Sequence, residues 1–422
     1  MREPHFENAK NVRLKAMKLL IWNFSQIEAE SSNFGDRAIF RSLVADIKKT
    51  FPGVEIFSLS SDPQLTSRLY GVNAFHFNDV LKLLMAIRKS DMVILGGGEF
   101  IQDKTSLLYL IANLSIGALA IALRRPMSLM AIGVADEDEI SFFGRLITRL
   151  ILNKARFITV RDPQSKLILN KLKVSKPPIH VTADASSRLP TASRNRVDEI
   201  MDKQGLPRKK KLLVGVVPRR MLYGKFNVLP LGVQIRLNIV PSTYYYQNQK
   251  LSKVLAETMD NMVRDLDAGI LFIPMYEGKS FSYRDRDFAV DIMKLMQNKN
   301  KARILSGKYS PEELKGVFGQ LDLVIGMTLH SLIMAAMTGV PTFAISYSSK
   351  MDRFIQMMGQ EEHSISIKDL TVKGLSAGIN IVFSKRESIR EELIRKAQEL
   401  QERAFLNIKL LSDCLSGMDK PR

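Results

Sequence analysis

Residues 321–350 read LDLVIGMTLHSLIMAAMTGVPTFAISYSSK. Leu323–Ile325 and Thr342–Ile345 are short apolar runs, and between them Ser331–Thr338 is an apolar run of helical length. Strands that are apolar at every position are buried on both faces, and a helix joining two of them makes a parallel crossover. The stretch therefore reads as a βαβ unit of an open parallel sheet, whose ligands bind beyond the carboxyl ends of the strands. Here those ends are Gly326-Met327-Thr328-Leu329-His330 and Ser346-Tyr347-Ser348-Ser349-Lys350.

Working outward, Leu212–Val217, Ile270–Ile273 and Ala302–Leu305 read as further strands of the same sheet. Val254–Leu266, Phe288–Gln297 and Pro311–Gly319 read as its helices, with Glu312 and Glu313 after Pro311 marking a helix start. An earlier series repeats the pattern. Its strands are Lys18–Trp22, Val54–Leu59, Met92–Leu95, Met127–Ile132 and Phe157–Val160. Its helices are Arg37–Lys49, Phe77–Ile87, Ser106–Leu123, Phe143–Asn153 and Pro163–Leu172. Residues 185–211 are polar, end in the basic run Arg208–Lys211 and read as a linker. Residues 220–250, with Tyr223, Tyr244, Tyr245 and Tyr246, fit neither pattern, and a loop of that length is usually functional. Residues 386–412 form an amphipathic helix with Leu393, Ile394, Ala397, Leu400 and Ala404 on one side. The fold class is α/β: two facing Rossmann-like doubly wound domains, GT-B-like, with a C-terminal amphipathic helix. The domains are 1–190 and 212–380, the linker 191–211 and the helix region 381–422.

Composition excludes several classes. The chain has 422 residues, of which 45% are hydrophobic, enough to fill two cores and too many for a disordered protein. One cysteine, Cys414, makes no intrachain disulfide, so a reducing, cytoplasmic setting is expected. Cysteine-rich metal centres are excluded, and five histidines without an HxxxH pair argue against a histidine-based one. Sixty-two Lys and Arg against 43 Asp and Glu give a formal charge of +19, which attracts polyanions. No nucleic-acid motif accompanies that charge, so nucleic acid is the least favoured partner. Leu107–Leu123 is uncharged and precedes Arg124-Arg125. It is at the short limit for a membrane span and reads as a buried helix, with peripheral membrane contact as the competing reading.

Three other strand ends carry chemistry. Asn33-Phe34-Gly35-Asp36 opens a helix, whose free N–H groups suit an anion. Gly96-Gly97-Gly98-Glu99, with Gln102 and Asp103 beyond, follows the strand Met92–Leu95 as a loop and lets a ligand reach main chain, but it is neither a P-loop nor GxGxxG. Arg161-Asp162-Pro163 places a guanidinium where it can clamp a carboxylate or phosphate.

In this order the motifs resemble the polysaccharide pyruvyl transferase family. NFGDRAIF (33–40), SSDPQLTSRLYGV (60–72), DMVILGGGEFIQD (91–103), ARFITVRDPQS (155–165) and residues 321–350 carry the resemblance, which runs from about Asn33 to about Phe354. It implies transfer of a pyruvyl group from phosphoenolpyruvate to two hydroxyls of a sugar in a lipid-linked or polymeric glycan, giving a ketal, with no metal and no cofactor besides that donor substrate. It further implies a sugar acceptor on a polyprenyl diphosphate or polysaccharide, and a cytoplasmic enzyme at the inner face of the plasma membrane. By the same resemblance His330 is the catalytic acid/base, and Lys350, Arg161, Arg219, Thr328 and Leu329 face the donor. Asp36, Gly97, Gly98, Glu99 and Asp103 fall to the acceptor side.

One residue departs from the family pattern. Gly-Met-Arg-Leu-His is usual, and here Thr328 stands in place of the arginine. A hydrogen bond to a charged group contributes about 1.5–3 kcal/mol, so its loss needs an explanation. Arg219, Arg220 or Lys225 substitutes for it, the donor differs, or catalysis has been lost. Two alternatives therefore stay open: a GT-B glycosyltransferase using a nucleotide sugar, and a non-catalytic member that binds glycan or membrane.

Overall fold

In this computed structural model, residues 17–23, 33–103, 106–205, 212–221, 242–277 and 284–418 are described. Strand β1 (Lys18–Trp22) alternates its side chains between two helix layers. Leu20 and Trp22 join one core cluster, and Leu19 and Ile21 join another. This is why the strand is apolar at every inner position.

The first half continues as α1 (Phe34–Thr50), β2 (Glu55–Ser60), α2 (Pro63–Tyr70), β3 (Asn73–His76), α3 (Val80–Lys89), β4 (Met92–Ile101) and α4 (Leu107–Ala122). It ends with β5 (Met127–Val134), α5 (Phe142–Leu152), β6 (Ile158–Val160), α6 (Pro163–Lys171) and β7 (Ile179–Val181). The strands pair in the order β3-β2-β1-β4-β5-β6-β7, and all pairs are parallel.

A helix α7 (Arg194–Lys203) leads into the second half. That half comprises β8 (Leu213–Val217), α8 (Ser242–Leu266), β9 (Gly269–Phe272), α9 (Asp285–Leu295), β10 (Ala302–Ile304), α10 (Pro311–Phe318), β11 (Leu323–Gly326) and α11 (Leu329–Met337). Then come β12 (Thr342–Ser346), α12 (Ser349–Met358), β13 (Ser364–Ser366), α13 (Val372–Ser384) and α14 (Arg386–Met418). The second sheet is ordered β10-β9-β8-β11-β12-β13, again all parallel. The chain reverses direction between β1 and β4 and between β8 and β11, so each sheet opens a crevice at that switch point.

Most expected strands and helices stand within a few residues of their observed bounds; four differences matter. β4 does not stop at Leu95 but runs through the glycines to Ile101, pairing Gly96 with Met130 and Gly98 with Ile132 before its register shifts. The triglycine is therefore an irregular strand end rather than a loop. Part of the segment read as a linker is helix α7, whose Val197, Ile200 and Met201 enter the core of the second half. Helix α8 begins at Ser242, so the segment 220–250 is partly helical; residues 222–241, with Lys225, and the basic run Arg208–Lys211 lie outside the described residues. Short β3, β7 and β13 carried too little apolar pattern to be seen.

The C-terminal helix joins the halves. Leu393, Ala397, Leu400 and Ala404 of α14 pack in the second core, while Ile408, Leu411 and Leu415 pack in the first. Between them Asn407 is buried, accepts a hydrogen bond from Thr182 Oγ1 at 2.9 Å and donates to the Ala183 carbonyl at 3.2 Å.

Candidate functional site

The two crevices face one another across a cavity of about 230 Å³. The first half contributes Asn23 after β1, Asn33 and Asp36 at the start of α1, Gly97–Phe100 and Gln102 at the end of β4, Tyr109 of α4 and Arg161 after β6. The second contributes Arg219 after β8, Met275 after β9, Thr328 and Leu329–His330 after β11, and Tyr347 and Lys350 after β12. Of the expected site residues, Asp103 alone stands off the cavity wall. It is 2% exposed, accepts from Ser141 N at 2.8 Å and from Ser141 Oγ, and so ties the end of β4 to the start of α5.

His330 sits in the first turn of α11 and is pressed against the other half of the molecule. A Cβ on Gly35 would lie 1.9 Å from His330 Nδ1, so only glycine lets the ring approach α1 this closely. Gly35 N in turn donates to Asn33 Oδ1 at 3.1 Å. The NFGD stretch and the histidine are thus one structural unit made from both sheets. His330 Nε2 lies 3.7 Å from Asp184 Oδ2, beyond a hydrogen bond, and is buried with no hydrogen-bond partner.

The triglycine serves the same meeting. Gly97 and Gly98 have φ of 64° and 84°, the left-handed region. A Cβ on Gly97 would collide with Ile39 Cγ2 of α1 at 2.0 Å. This strand end delivers Glu99, whose Oε2 lies 3.2 Å from Arg161 Nη2 and whose Oε1 lies 3.6 Å from Lys350 Nζ. Burial alone would raise the Glu99 pKa, but Lys350, Arg161 and Arg353 outweigh it and hold the carboxyl below the usual range.

Arg161 is buried and shared among carboxylates: Glu99, Asp184 at 3.3 Å and Asp162 at 4.0 Å. Burial works against its charge, and Glu99, Asp184 and Asp162 more than restore it. Room for the guanidinium comes from Gly133, where a Cβ would lie 2.6 Å from Nη2. Asp162 itself is the N-cap of α6, accepting from Ser165 N at 2.7 Å.

Asp36 behaves in the opposite way to Glu99. Burial raises its pKa, with Asp184 adding to the rise, against the lowering influence of His330, Lys350 and Arg161. Tyr109 faces Asp36 and Glu99, and burial with those two charges pushes its phenol well above the usual range.

Thr328 is the N-cap of α11. Its Oγ1 accepts from Ser331 N at 3.3 Å, and Ser331 Oγ donates to its carbonyl at 2.7 Å. An arginine side chain does not make this cap, so the threonine gives the helix a start that the usual residue does not. Of the three proposed substitutes, Arg219 lines the cavity. It lies 3.2 Å from Asp285 and over the Tyr276 ring, 5.3 Å from the centroid. Burial raises Asp285 to about 6 even against the pull of Arg219. Arg220 is turned onto Asp291 at 2.6 Å and the Phe288 ring, off the cavity wall. Lys225 lies outside the described residues.

Asp184 went unseen in the sequence. It follows β7 and caps a short turn, accepting from Ser186 N at 3.0 Å. Burial would raise its pKa, yet His330, Arg161 and Ser186 hold it well below the ordinary carboxylate range. Asn23 and Tyr109 are further cavity residues without a sequence signal, and Tyr347 comes from the strand-end motif Ser346–Lys350. Arg353 of α12 reaches across to the Val134 carbonyl at 2.8 Å, to Asp136 and to Asp162 at 3.6 Å, and so clamps the two halves.

Solved structures share this architecture at low sequence identity. A glycosyltransferase from Rickettsia africae is 13% identical, over 95% of this chain and 99% of that one, with a TM-score of 0.59. HepE from Anabaena, in complex with UDP-glucose, is 12% identical over 95% and 100%, with a TM-score of 0.61. The UDP-GlcNAc 2-epimerase of Neisseria meningitidis is 8% identical over 94% and 100%, with a TM-score of 0.60. These likenesses establish the GT-B fold. In sequence, the amylovoran biosynthesis protein AmsJ of Erwinia amylovora is 28% identical over 139 residues, 33% of each protein, so the matched part spans a third of that relative's length. The sequence profile of polysaccharide pyruvyl transferases matches residues 33–349, from the asparagine that caps α1 to the serine before Lys350. All the cavity residues but Asn23 and Lys350 fall inside that match, and the chain belongs to the polysaccharide pyruvyl transferase family.

Proposed function

We propose that the protein transfers a pyruvyl group from phosphoenolpyruvate to two hydroxyls of one sugar, forming a cyclic ketal and releasing inorganic phosphate. The observation that carries this reading is His330 Nε2, buried without a hydrogen-bond partner in a cavity that also holds Arg219 and Lys350. A buried polar atom without a partner is rare and points to a ligand that completes it.

The donor carries a carboxylate and a phosphate, and the second half supplies the cations for them: Arg219, Lys350 and the N-terminal end of α11 with its Thr328 hydroxyl. The acceptor sugar lies against the first half, where Asp36, Glu99 and the exposed backbone of Gly97 and Gly98 offer hydrogen-bond partners. His330 protonates the methylene carbon of the donor while the first hydroxyl adds to C2 and gives up its proton to Asp36, whose raised pKa suits it to a base that must later release the proton. The C2–O bond to phosphate then breaks, with the electron pair leaving on phosphate. The second hydroxyl adds to C2, and its proton travels with the phosphate. Asp36 returns its proton to His330, so the two hydroxyl protons end as a new methyl hydrogen and protonated phosphate, without oxidation or reduction. Asp184 and Arg161 do not touch the reacting atoms in this scheme. Asp184 sets a carboxylate 3.7 Å from the His330 ring, and Arg161 holds Asp184 and Glu99 in place.

The proposed reaction uses no metal and no cofactor besides the donor substrate. Its acceptor is a glycan on a polyprenyl diphosphate or a polysaccharide, met in the cytoplasm at the inner face of the membrane. The test is phosphate release from phosphoenolpyruvate in the presence of candidate acceptors, with a matching ketal-sized mass increase on the sugar. A thermal shift with phosphoenolpyruvate and none with UDP agrees with the proposal. The reverse pattern would transfer the protein to the nucleotide-sugar glycosyltransferases.

A further inference from the structure

Helices α3, α4 and α5 cover one face of the first sheet, sharing a core through Leu83, Leu110, Leu114 and Leu152. Their outward sides are not polar. Phe142 is 75% exposed and Phe143 64%, with their rings edge to face at 5.8 Å. Leu81 is 69% exposed, and Leu108, Ile111 and Leu150 are exposed beside them. The solvent side of α4 carries Leu108, Ile111, Ala112, Ala118 and Ala122 and no charge. Single exposed apolar side chains are ordinary, but a layer of this kind across three helices marks a contact surface.

The charge on the layer identifies the partner. None of the three helices contains an aspartate or glutamate. Their charged residues are all basic, with Arg88, Lys89 and Arg149 exposed, and Arg124-Arg125 are exposed just past α4. The acidic residues nearby flank the helices rather than lie within them, with Asp79 capping α3 and Asp136, Glu137, Asp138 and Glu139 preceding α5, and the apolar side chains among arginines and lysines on the helices themselves match the interface of an anionic bilayer. A second copy of the chain fits worse, because an isologous contact would set these basic groups against one another. The position is also informative. Leu108 adjoins Tyr109, which lines the cavity, and Phe142 follows Ser141, which is tied to Asp103 at the end of β4. The apolar layer therefore ends beside the sheet edge where the cavity opens.

We propose that the outer face of α3, α4 and α5, led by Phe142 and Phe143, docks the protein on an anionic membrane and holds its cavity beside lipid-linked acceptors. The second clause rests on the pyruvyl-transfer reading, whereas the docking itself does not. The test is flotation of the full chain with vesicles of phosphatidylcholine alone or mixed with phosphatidylglycerol. Binding to the mixed vesicles is expected, weakened by salt. Phe142→Ser/Phe143→Ser lowers the partition coefficient about tenfold or more. Arg124→Gln/Arg125→Gln lowers it about fivefold per charge. Both variants alter exposed positions, and unchanged melting curves confirm that they fold. In the aromatic variant, phosphate release with a water-soluble acceptor stays at the parental level. Absence of binding to the mixed vesicles overturns the proposal. So does an aromatic variant that binds as the parent does, or one that only converts a dimer to a monomer. Vesicle binding in a protein that never turns over phosphoenolpyruvate leaves the docking surface standing and removes the pyruvyl-transfer reading.

Discussion

The two sheets are wound alike, with the order third-second-first-fourth-fifth in each, yet their facing edges carry opposite chemistry. The edge of the first brings the carboxylates Asp36 and Glu99 to the cavity, with Asp184 behind them, and among the described residues its cation there is Arg161, shared among Glu99, Asp184 and Asp162. The edge of the second holds Arg219, Lys350, His330 and the start of α11. Topology sets where a ligand binds, and side chains at the strand ends set which charge it carries. In the proposed reaction the doubly anionic donor is assigned to the second half and the polyhydroxyl acceptor to the first.

The largest test of this division is at the point where the halves meet. His330→Ala is expected to lower turnover about 10³-fold, within the range for a lost acid/base, with an unchanged melting curve. Gly35→Ala asks whether the first half positions that histidine. The added Cβ would displace a ring now 1.9 Å from it, and about a 10²-fold loss in kcat is expected, with a smaller change in the KM of the donor.

Arg219→Ala tests the donor half alone. About a 10–150-fold loss in kcat/KM is expected if it stands in for the absent arginine, most of it in KM, and an unchanged KM would assign the donor's charge to other groups. Asp184→Asn tests the carboxylate half through pH. The folded pKa of Asp184 lies below the 3.8 of an ordinary aspartate. Its contribution to stability is therefore present above that value and lost as pH falls toward the folded one. Between about pH 5 and about pH 2 the parent should lose more melting temperature than the asparagine variant does. Equal losses would remove Asp184 from the ionised network. The smallest effect is expected of Thr328→Arg, which adds a cation to the donor wall but removes the α11 cap, at a cost of about 0.5–2 kcal/mol in stability.

Much of the site was legible because strand ends are legible. A run such as Val93–Leu95 marks a buried strand, the next residues must emerge at the sheet edge, and Gly97, Gly98 and Glu99 did so. Asp103 emerged from the same motif but turned to Ser141, because beyond Ile101 no strand pattern dictates where a side chain points. Asp184 was invisible for a related reason. It sits after a strand of three partly buried residues and matters only through His330 and Arg161, which come from distant parts of the chain.

By itself the sequence determined the two parallel sheets, their helix layers and the order of the motifs, since these follow from local apolar patterning and glycine placement. Only the tertiary structure decided that Gly35 is small for the sake of a histidine from the other half, and that Thr328 is a helix cap. It also decided that α14 threads both cores and that three uncharged or basic helix faces lie side by side on the surface. Each of these is a contact between segments far apart in the chain, and the identity of a residue encodes such a contact only once its partner is in place.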